Sequence, residues 1–439
     1  MASTFSNPAY RPKVRPTGTK LNELNGHGGG HEVTVTVAPA LPVQQGHRLE
    51  LSNLDLLLPP LDVSLFFCYL QPAPTAAALK EALAKTLVPY YPLAGEVVAN
   101  ADGEPELLCS GRGVDFTVAN AAAGVELREV RIGAVDESVE RLVPANAKKP
   151  GSVVAVKVTK FACGGAVVGC TFDHRVCDAY SFNMFLVAWP AAAHHSLAAP
   201  PPPPSVAATA VNRIYRIAAA DVAALKAAVG PGRTKMEAFT AHLWKLCSMA
   251  ASPRRSQQCC MGVVVDGRTR IVVSPNDGAS TTMRSYFGNV LTIPYGVLGT
   301  EELRRMELAE VAGDVHRWVA EAATDDHFRG LVDWVEALRP KPAAARAYLG
   351  GTGGSDAMAC IVSSGMRLAV GEVDFGWGTP AFASYHFPWP ADAGYVMPMP
   401  SARGDGDWVV YVHVAPELAK AMEEEPTVFR VLENSYVFQ

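Results

Sequence analysis

Valine alternates with threonine over Val33-Thr34-Val35-Thr36-Val37, the period of a strand with one buried face. Val63 to Leu70 is apolar except for Ser64 and carries Phe66, Phe67 and Tyr69. So short and unbroken a run predicts a strand buried on both faces. From Ala76 to Leu87 the apolar positions recur at helical spacing, until Val88-Pro89-Tyr90-Tyr91-Pro92-Leu93-Ala94-Gly95 breaks the helix. Ser152 to Thr159 and Gly164 to Phe172 again read as buried strands, and Ser181 to Trp189 as a helix. Between Leu197 and Val206 stand five consecutive prolines, Pro200 to Pro204, which neither a helix nor a sheet interior admits. Beyond them the pattern predicts helices at Ala218 to Val229 and Lys235 to Met249, with strands around Gly262 to Asp266 and Asn289 to Ile293. A long helix from Glu301 into the 320s follows, then strand patterns at Ala359 to Val373 and Trp408 to His413.

Both halves are thus mixed α and β, without a short repeat. The chain has 439 residues, more than one core of ~250 to 300 residues accommodates, so two domains are expected. We place them at 1–190 and 213–439, with 191–212 as a stiff proline-rich crossover. Hydrophobic residues make up 49% and charged residues 18%, the balance of a packed globular protein rather than a disordered one. A formal charge of -5 gives no basic field for nucleic acid, so an anionic ligand must meet a local basic patch. Met1 to Lys20 lacks an apolar signal core, and no apolar run reaches the ~18 to 20 residues that span a bilayer. A cytoplasmic protein with no membrane partner is expected. The nine cysteines read as reduced, mostly buried thiols, and His27 and His31, in the Gly/His-rich stretch Asn25 to His31, as part of a solvated loop.

Chemistry concentrates at the end of the fourth strand pattern, in Phe172-Asp173-His174-Arg175-Val176-Cys177-Asp178. Histidine is suited to removing a proton near neutral pH, and a nearby carboxylate can fix its tautomer or brace its loop. His174 and Asp178 share a face if the segment is helical and diverge if it is a loop, so spacing alone leaves both roles open. A metal at this pair would lack a third ligand, and none is expected.

Five motifs change the picture: Tyr91-Pro92-Leu93-Ala94-Gly95, His174-Arg175-Val176-Cys177-Asp178, Val265-Asp266-Gly267-Arg268, Tyr286-Phe287-Gly288-Asn289 and Asp374-Phe375-Gly376-Trp377-Gly378. In order and separation they resemble those of the plant BAHD acyltransferases, nearest the hydroxycinnamoyltransferases of phenylpropanoid metabolism. The resemblance implies an α/β fold of two chloramphenicol-acetyltransferase-like domains, each a mixed sheet flanked by helices, with a solvent channel between them. It implies a monomeric transferase moving an acyl group, hydroxycinnamoyl by expectation, from acyl-CoA as co-substrate to a hydroxyl or amine acceptor. No permanently bound cofactor is implied. His174 would be the general base at mid-channel. Asp178 would join it in catalysis or, as the family pattern favours, pair with Arg268 to brace the loop. Asp374, Gly376, Trp377 and Gly378 would be structural, and Arg233, Thr234 and Lys235 would lie where the family binds CoA. Arg254-Arg255 reads as an exposed basic pair.

Departures from the pattern bear on the acceptor. Ala179 replaces the usual glycine after the motif's aspartate. Where shikimate transferases carry Ser/Thr-x-Trp, this chain has Ser363-Ser364-Gly365. Ser363 keeps an oxygen for an oxyanion, and Gly365 is expected to leave open space in the acceptor pocket. The family's carboxylate-binding arginine falls, by ungapped count, on Gly350 or Gly351, which disfavours shikimate and quinate. A neutral acceptor such as a phenylpropanoid alcohol, or an amine, fits better, with Tyr385-His386-Phe387-Pro388-Trp389 as an aromatic wall or as core. A non-catalytic metabolite-binding relative and an acyl-CoA thioesterase are the competing readings.

Overall fold

A computed structural model describes residues 32–42, 46–70, 75–133, 137–144, 151–189, 210–251, 257–272, 283–341, 357–388, 393–425 and 427–438. His27, His31, Pro200 to Pro204, Arg254-Arg255, Gly350, Gly351 and Trp389 lie outside the described residues.

Two large sheets organise the chain. The first has six strands in the order Val33–Val37, Val114–Asn120, Val154–Lys160, Ala166–Asp173, Asp62–Tyr69 and Phe382–His386. The second has seven, in the order Tyr295–Gly299, Gln258–Val263, Met358–Val362, Gly394–Pro400, Trp408–Val414, Val211–Ile217 and Arg430–Val431. Both mix parallel and antiparallel pairs. Strand Ala166–Asp173 is buried along its whole length, as an unbroken apolar run requires in a sheet covered on both faces. Helices Ala76–Thr86 and Ala179–Ala188 contribute buried side chains to the core around the first sheet. Helix Lys235–Ala250 packs against the second.

Three features depart from the sequence reading. The helix expected from Glu301 into the 320s is two, Thr300–Arg305 and Leu308–Ala322. Met306 turns extended between them, and Glu307 opens the second helix through a reciprocal capping box with Glu310. A further helix, Asp325–Leu338, follows. The strand pattern at Ala359 to Val373 ends at Val362, where Ser363 and Gly365 continue only as single backbone bonds to Val396 and Pro398.

The third departure is a crossing. Strand Phe382–His386 belongs by sequence to the second half, yet it pairs antiparallel with Asp62–Tyr69 in the first sheet, Tyr385 opposite Leu65 and His386 opposite Ser64. No helix among the described residues is long and apolar enough to cross a membrane. All nine cysteines are outside disulfides, and only Cys163 is exposed.

The crossing strand buries His386 completely, with neither ring nitrogen partnered among the described residues. Burial, with His413 beside it, pushes His386 down to about 4 from an ordinary 6.5. The unfolded chain therefore binds a proton that the folded chain refuses between these values. Stability is full above pH 6.5 and declines as the pH falls toward 4, by up to ~3 kcal/mol from this residue. Urea midpoints at pH 7 and 4.5 should fall less in His386→Phe than in the native chain. Equal losses in both would refute the assignment.

Candidate active site

Strand Ala166–Asp173 delivers His174 to a turn rather than a helix. The turn is fixed from both sides. The His174 N–H donates to the Leu61 carbonyl at 2.8 Å, and the Arg175 guanidinium grips Asp173 at 3.0 and 2.7 Å. Asp178 then caps helix Ala179–Ala188, accepting from the Ser181 N–H at 2.9 Å.

The aspartate and the histidine of the motif diverge. Asp178 forms a bidentate pair with Arg268, at 2.7 and 3.1 Å, with both side chains almost fully buried. Arg268 also donates to the Ser181 hydroxyl and the Gly288 carbonyl, each at 2.8 Å, reaches Asp266, and lies over the Tyr180 ring. Gly288 sits at φ +151, and a Cβ there would strike the Tyr286 ring 2.7 Å away. Only glycine lets this turn pass so close to its own aromatic neighbour.

The His174 ring is bonded by its own backbone carbonyl and by the side chain of Asn289. Its Oδ1 lies 3.1 Å from His174 Nδ1, while its Nδ2 donates to the His174 carbonyl and to Asp55 Oδ1, both at 2.8 Å. Two acceptors on the nitrogen side fix which way the amide points. Its oxygen therefore faces Nδ1, which must carry the proton, and the lone pair of the neutral imidazole is left on Nε2. Burial lowers His174 below the ordinary histidine value of 6.5, outweighing the nearby carboxylates Asp178 and Asp173. A neutral imidazole with an available Nε2 can accept a proton at physiological pH.

The half-buried His174 ring has Phe387 beside it, centroids 6.4 Å apart, and Phe387 meets Tyr395 edge-on at 4.9 Å. Tyr395 hydrogen-bonds the side chain of Ser363, and burial pushes its hydroxyl up to about 12. Tyr385 is buried nearby, its hydroxyl unpartnered among the described residues. The space expected at Gly365 is a correction: a Cβ there would meet Met399 Cγ at 2.5 Å and Met397 Cε at 3.1 Å. The two methionines fill the place left by the missing ring.

Arg233, Thr234 and Lys235 stand apart from this cluster, at the start of helix Lys235–Ala250. Thr234 caps that helix, its hydroxyl accepting from the Glu237 N–H while Glu237 accepts from the Thr234 N–H. Arg233 and Lys235 flank the cap without an ion pair of their own among the described residues. The Asp374 carboxylate closes a tight turn by accepting from the N–H groups of Gly376, Trp377 and Gly378 at 2.8 to 2.9 Å. Both glycines have positive φ, and Trp377 and Phe375 pack on Tyr69 and Trp189. No cluster of three or more metal-ligating side chains occurs among the described residues.

Sequence reasoning assigned no role to Asn289 and overlooked Asp55. Asn289 closed a motif already singled out. Asp55 left one signal, a lone carboxylate within Leu54-Asp55-Leu56-Leu57-Leu58, where burial demands a partner.

Removing Asp178 would strand Arg268 as a buried charge. Asp178→Ala should therefore cost about 3–5 kcal/mol, read by denaturant unfolding. An unchanged midpoint would show that the pair does not hold this loop.

The profile of the Transferase family matches residues 32–212 and 205–428. A hydroxycinnamoyltransferase of Narcissus pseudonarcissus is 26% identical over 441 residues, covering 88% of this chain and 96% of its own. Among solved structures, vinorine synthase aligns with a TM-score of 0.69 at 21% identity, over 91% of this chain and 98% of its own. The F. sporotrichioides TRI101, solved with coenzyme A and T-2, gives 0.65 at 15% identity, over 87% and 99%. These alignments show a shared fold, and the family profile spans most of the sequence: the chain belongs to the Transferase family, as a BAHD acyltransferase.

Proposed function

We propose that this protein transfers an acyl group, hydroxycinnamoyl as the leading class, from acyl-CoA to the hydroxyl or amine of a small acceptor, with His174 as general base. The observation that carries the reading is the Asn289 contact, which reserves the Nδ1 proton and leaves Nε2 free to take another. The similarity to a hydroxycinnamoyltransferase supports the donor class, and a neighbour solved with coenzyme A supports the thioester.

The acceptor hydroxyl or amine gives its proton to Nε2 as its lone pair attacks the thioester carbonyl. The tetrahedral oxyanion takes a hydrogen bond from the Ser363 hydroxyl, which turns its proton away from Tyr395 to do so; such a donor contributes ~3 kcal/mol in a water-poor site. The C–S bond then breaks, and the proton on Nε2 passes to the CoA sulfur. No acyl-enzyme is needed. Asp178 works as a brace through Arg268, since its oxygens are taken by the guanidinium and by the Ser181 N–H. Arg233 and Lys235, with the first-turn amides of the helix they precede, are positioned to receive CoA phosphates. Thr234 contributes there as the cap.

A glycine at 350 or 351, where an acceptor-binding arginine would stand, favours a neutral acceptor such as a phenylpropanoid alcohol, or an amine, over shikimate and quinate.

His174→Ala should lower kcat by about 10²- to 10⁴-fold while leaving the melting temperature and CoA affinity unchanged. Near-normal turnover would remove the general base. Release of CoA from hydroxycinnamoyl-CoA should depend on the acceptor across a panel of monolignols, aliphatic alcohols, polyamines and shikimate. Equal release without acceptor would make the protein a thioesterase.

A further inference from the structure

We propose that Asp55 is a positioning residue of the reaction: its buried carboxylate holds the Asn289 amide in the orientation that keeps a proton on His174 Nδ1 and the lone pair on Nε2. The inference rests on the general-base reading of His174 and names the group that enforces it.

Asp55 opens a short helical turn, Asp55–Leu57, and is 4% exposed. Its Oδ1 accepts from the Asn289 N–H at 2.7 Å and from Asn289 Nδ2 at 2.8 Å. Its Oδ2 accepts from the Ser52 N–H at 3.0 Å and the Ser52 hydroxyl at 2.6 Å. Four donors thus converge on one carboxylate, a set that suits an anion and does not suit an acid.

The consequence runs through the amide. Turned by 180°, Asn289 would set its oxygen against two other oxygens, Asp55 Oδ1 and the His174 carbonyl, and would point its NH₂ at Nδ1. Nδ1 would then face a donor, with only the ring's bond to its own backbone carbonyl still favouring a proton there, so the Nε2–H tautomer would gain and the base would weaken. An ionised Asp55 makes that flip costly by charge repulsion. Protonated, it must donate, yet only the Ser52 hydroxyl among its partners can turn to accept, and its hold on Asn289 weakens.

The titratable groups around Asp55 come from three directions. The Tyr286 hydroxyl, bonded to Ser52, and the Cys177 thiol, from the loop after the catalytic strand, are both pushed up by burial and stay neutral near pH 6. Asp178 is engaged by Arg268, and His174 is reached through Asn289. Burial raises Asp55 to about 6 against the opposing hydrogen bonds from Ser52 and Asn289. Burial also lowers His174, which works against charging of the ring over the same range. As pH falls through about 6, the Nε2–H tautomer should grow among the rings that are still neutral.

The test is nitrogen NMR of the full chain carrying 15N-histidine, without substrates, with the Asp55 carboxyl carbon followed in parallel from about pH 8 to 5. Above the Asp55 titration, His174 should be the Nδ1–H tautomer alone, and the Nε2–H form should grow as Asp55 protonates. Asp55→Asn should show mixed tautomers at every pH, a kcat lowered about 10- to 100-fold with a smaller change in KM, and an acid limb that has lost one titration. A His174 that remains the Nδ1–H tautomer throughout the native titration overturns the proposal without any variant. So does an unchanged kcat in a folded Asp55→Asn. If instead His174→Ala keeps its turnover, the general-base reading fails, while the tautomer measurement still decides what Asp55 does to the ring.

Discussion

The buried pair of Arg268 and Asp178 is the constraint on which the rest of the site depends. A guanidinium with about 1% of its side chain exposed is tolerated only when its donors are satisfied. Asp178, Asp266, the Ser181 hydroxyl and the Gly288 carbonyl together do so. These partners come from the strand-to-helix loop of the first half and from the turn and hairpin of the second. Satisfying one charge therefore fixes two distant backbones against each other. Gly288 is followed directly by Asn289, so the same turn that receives Arg268 presents the amide to His174.

Three carboxylates surround the imidazole and none bonds to it. Asp173 is held by Arg175, Asp178 by Arg268, and Asp55 by four hydrogen-bond donors. With their oxygens committed elsewhere, they do little to stabilise an imidazolium, and burial governs the ring instead. The result is a histidine kept neutral and oriented, the state a base needs before its reaction begins. An aspartate bonded directly to Nδ1 would orient the ring equally well but would raise its affinity for a proton.

Much of this was legible in the sequence because burial on both faces leaves an unbroken apolar run. The strands at Asp62–Tyr69 and Ala166–Asp173 announce themselves in that way. The pairing of Asp178 with Arg268 was readable from motifs at both ends. Tyr385 to Trp389 was read as an aromatic wall or a core loop, and the strand Phe382–His386 went unseen, because its partner strand lies more than three hundred residues away and no local period records a distant neighbour. Asp55 and Asn289 meet across 234 positions for the same reason. The break at Met306 turned on a capping box of two glutamates inside a helical period, where glutamate is equally at home along a helix surface. Gly365 suggested room because an absent side chain was counted as empty space, whereas Met397 and Met399, flexible and unbranched, take up such space readily.

The crossing strand ties mechanics to chemistry. Five residues of the second half, Phe382 to His386, complete the sheet of the first, and Phe387, next along the chain, stands beside His174. Separating the halves would strip an edge strand from its ladder and pull away the ring that flanks the imidazole. A clamshell motion is therefore an expensive way to admit two reactants. Under the proposed reaction, both substrates would have to reach the histidine with that ladder left intact.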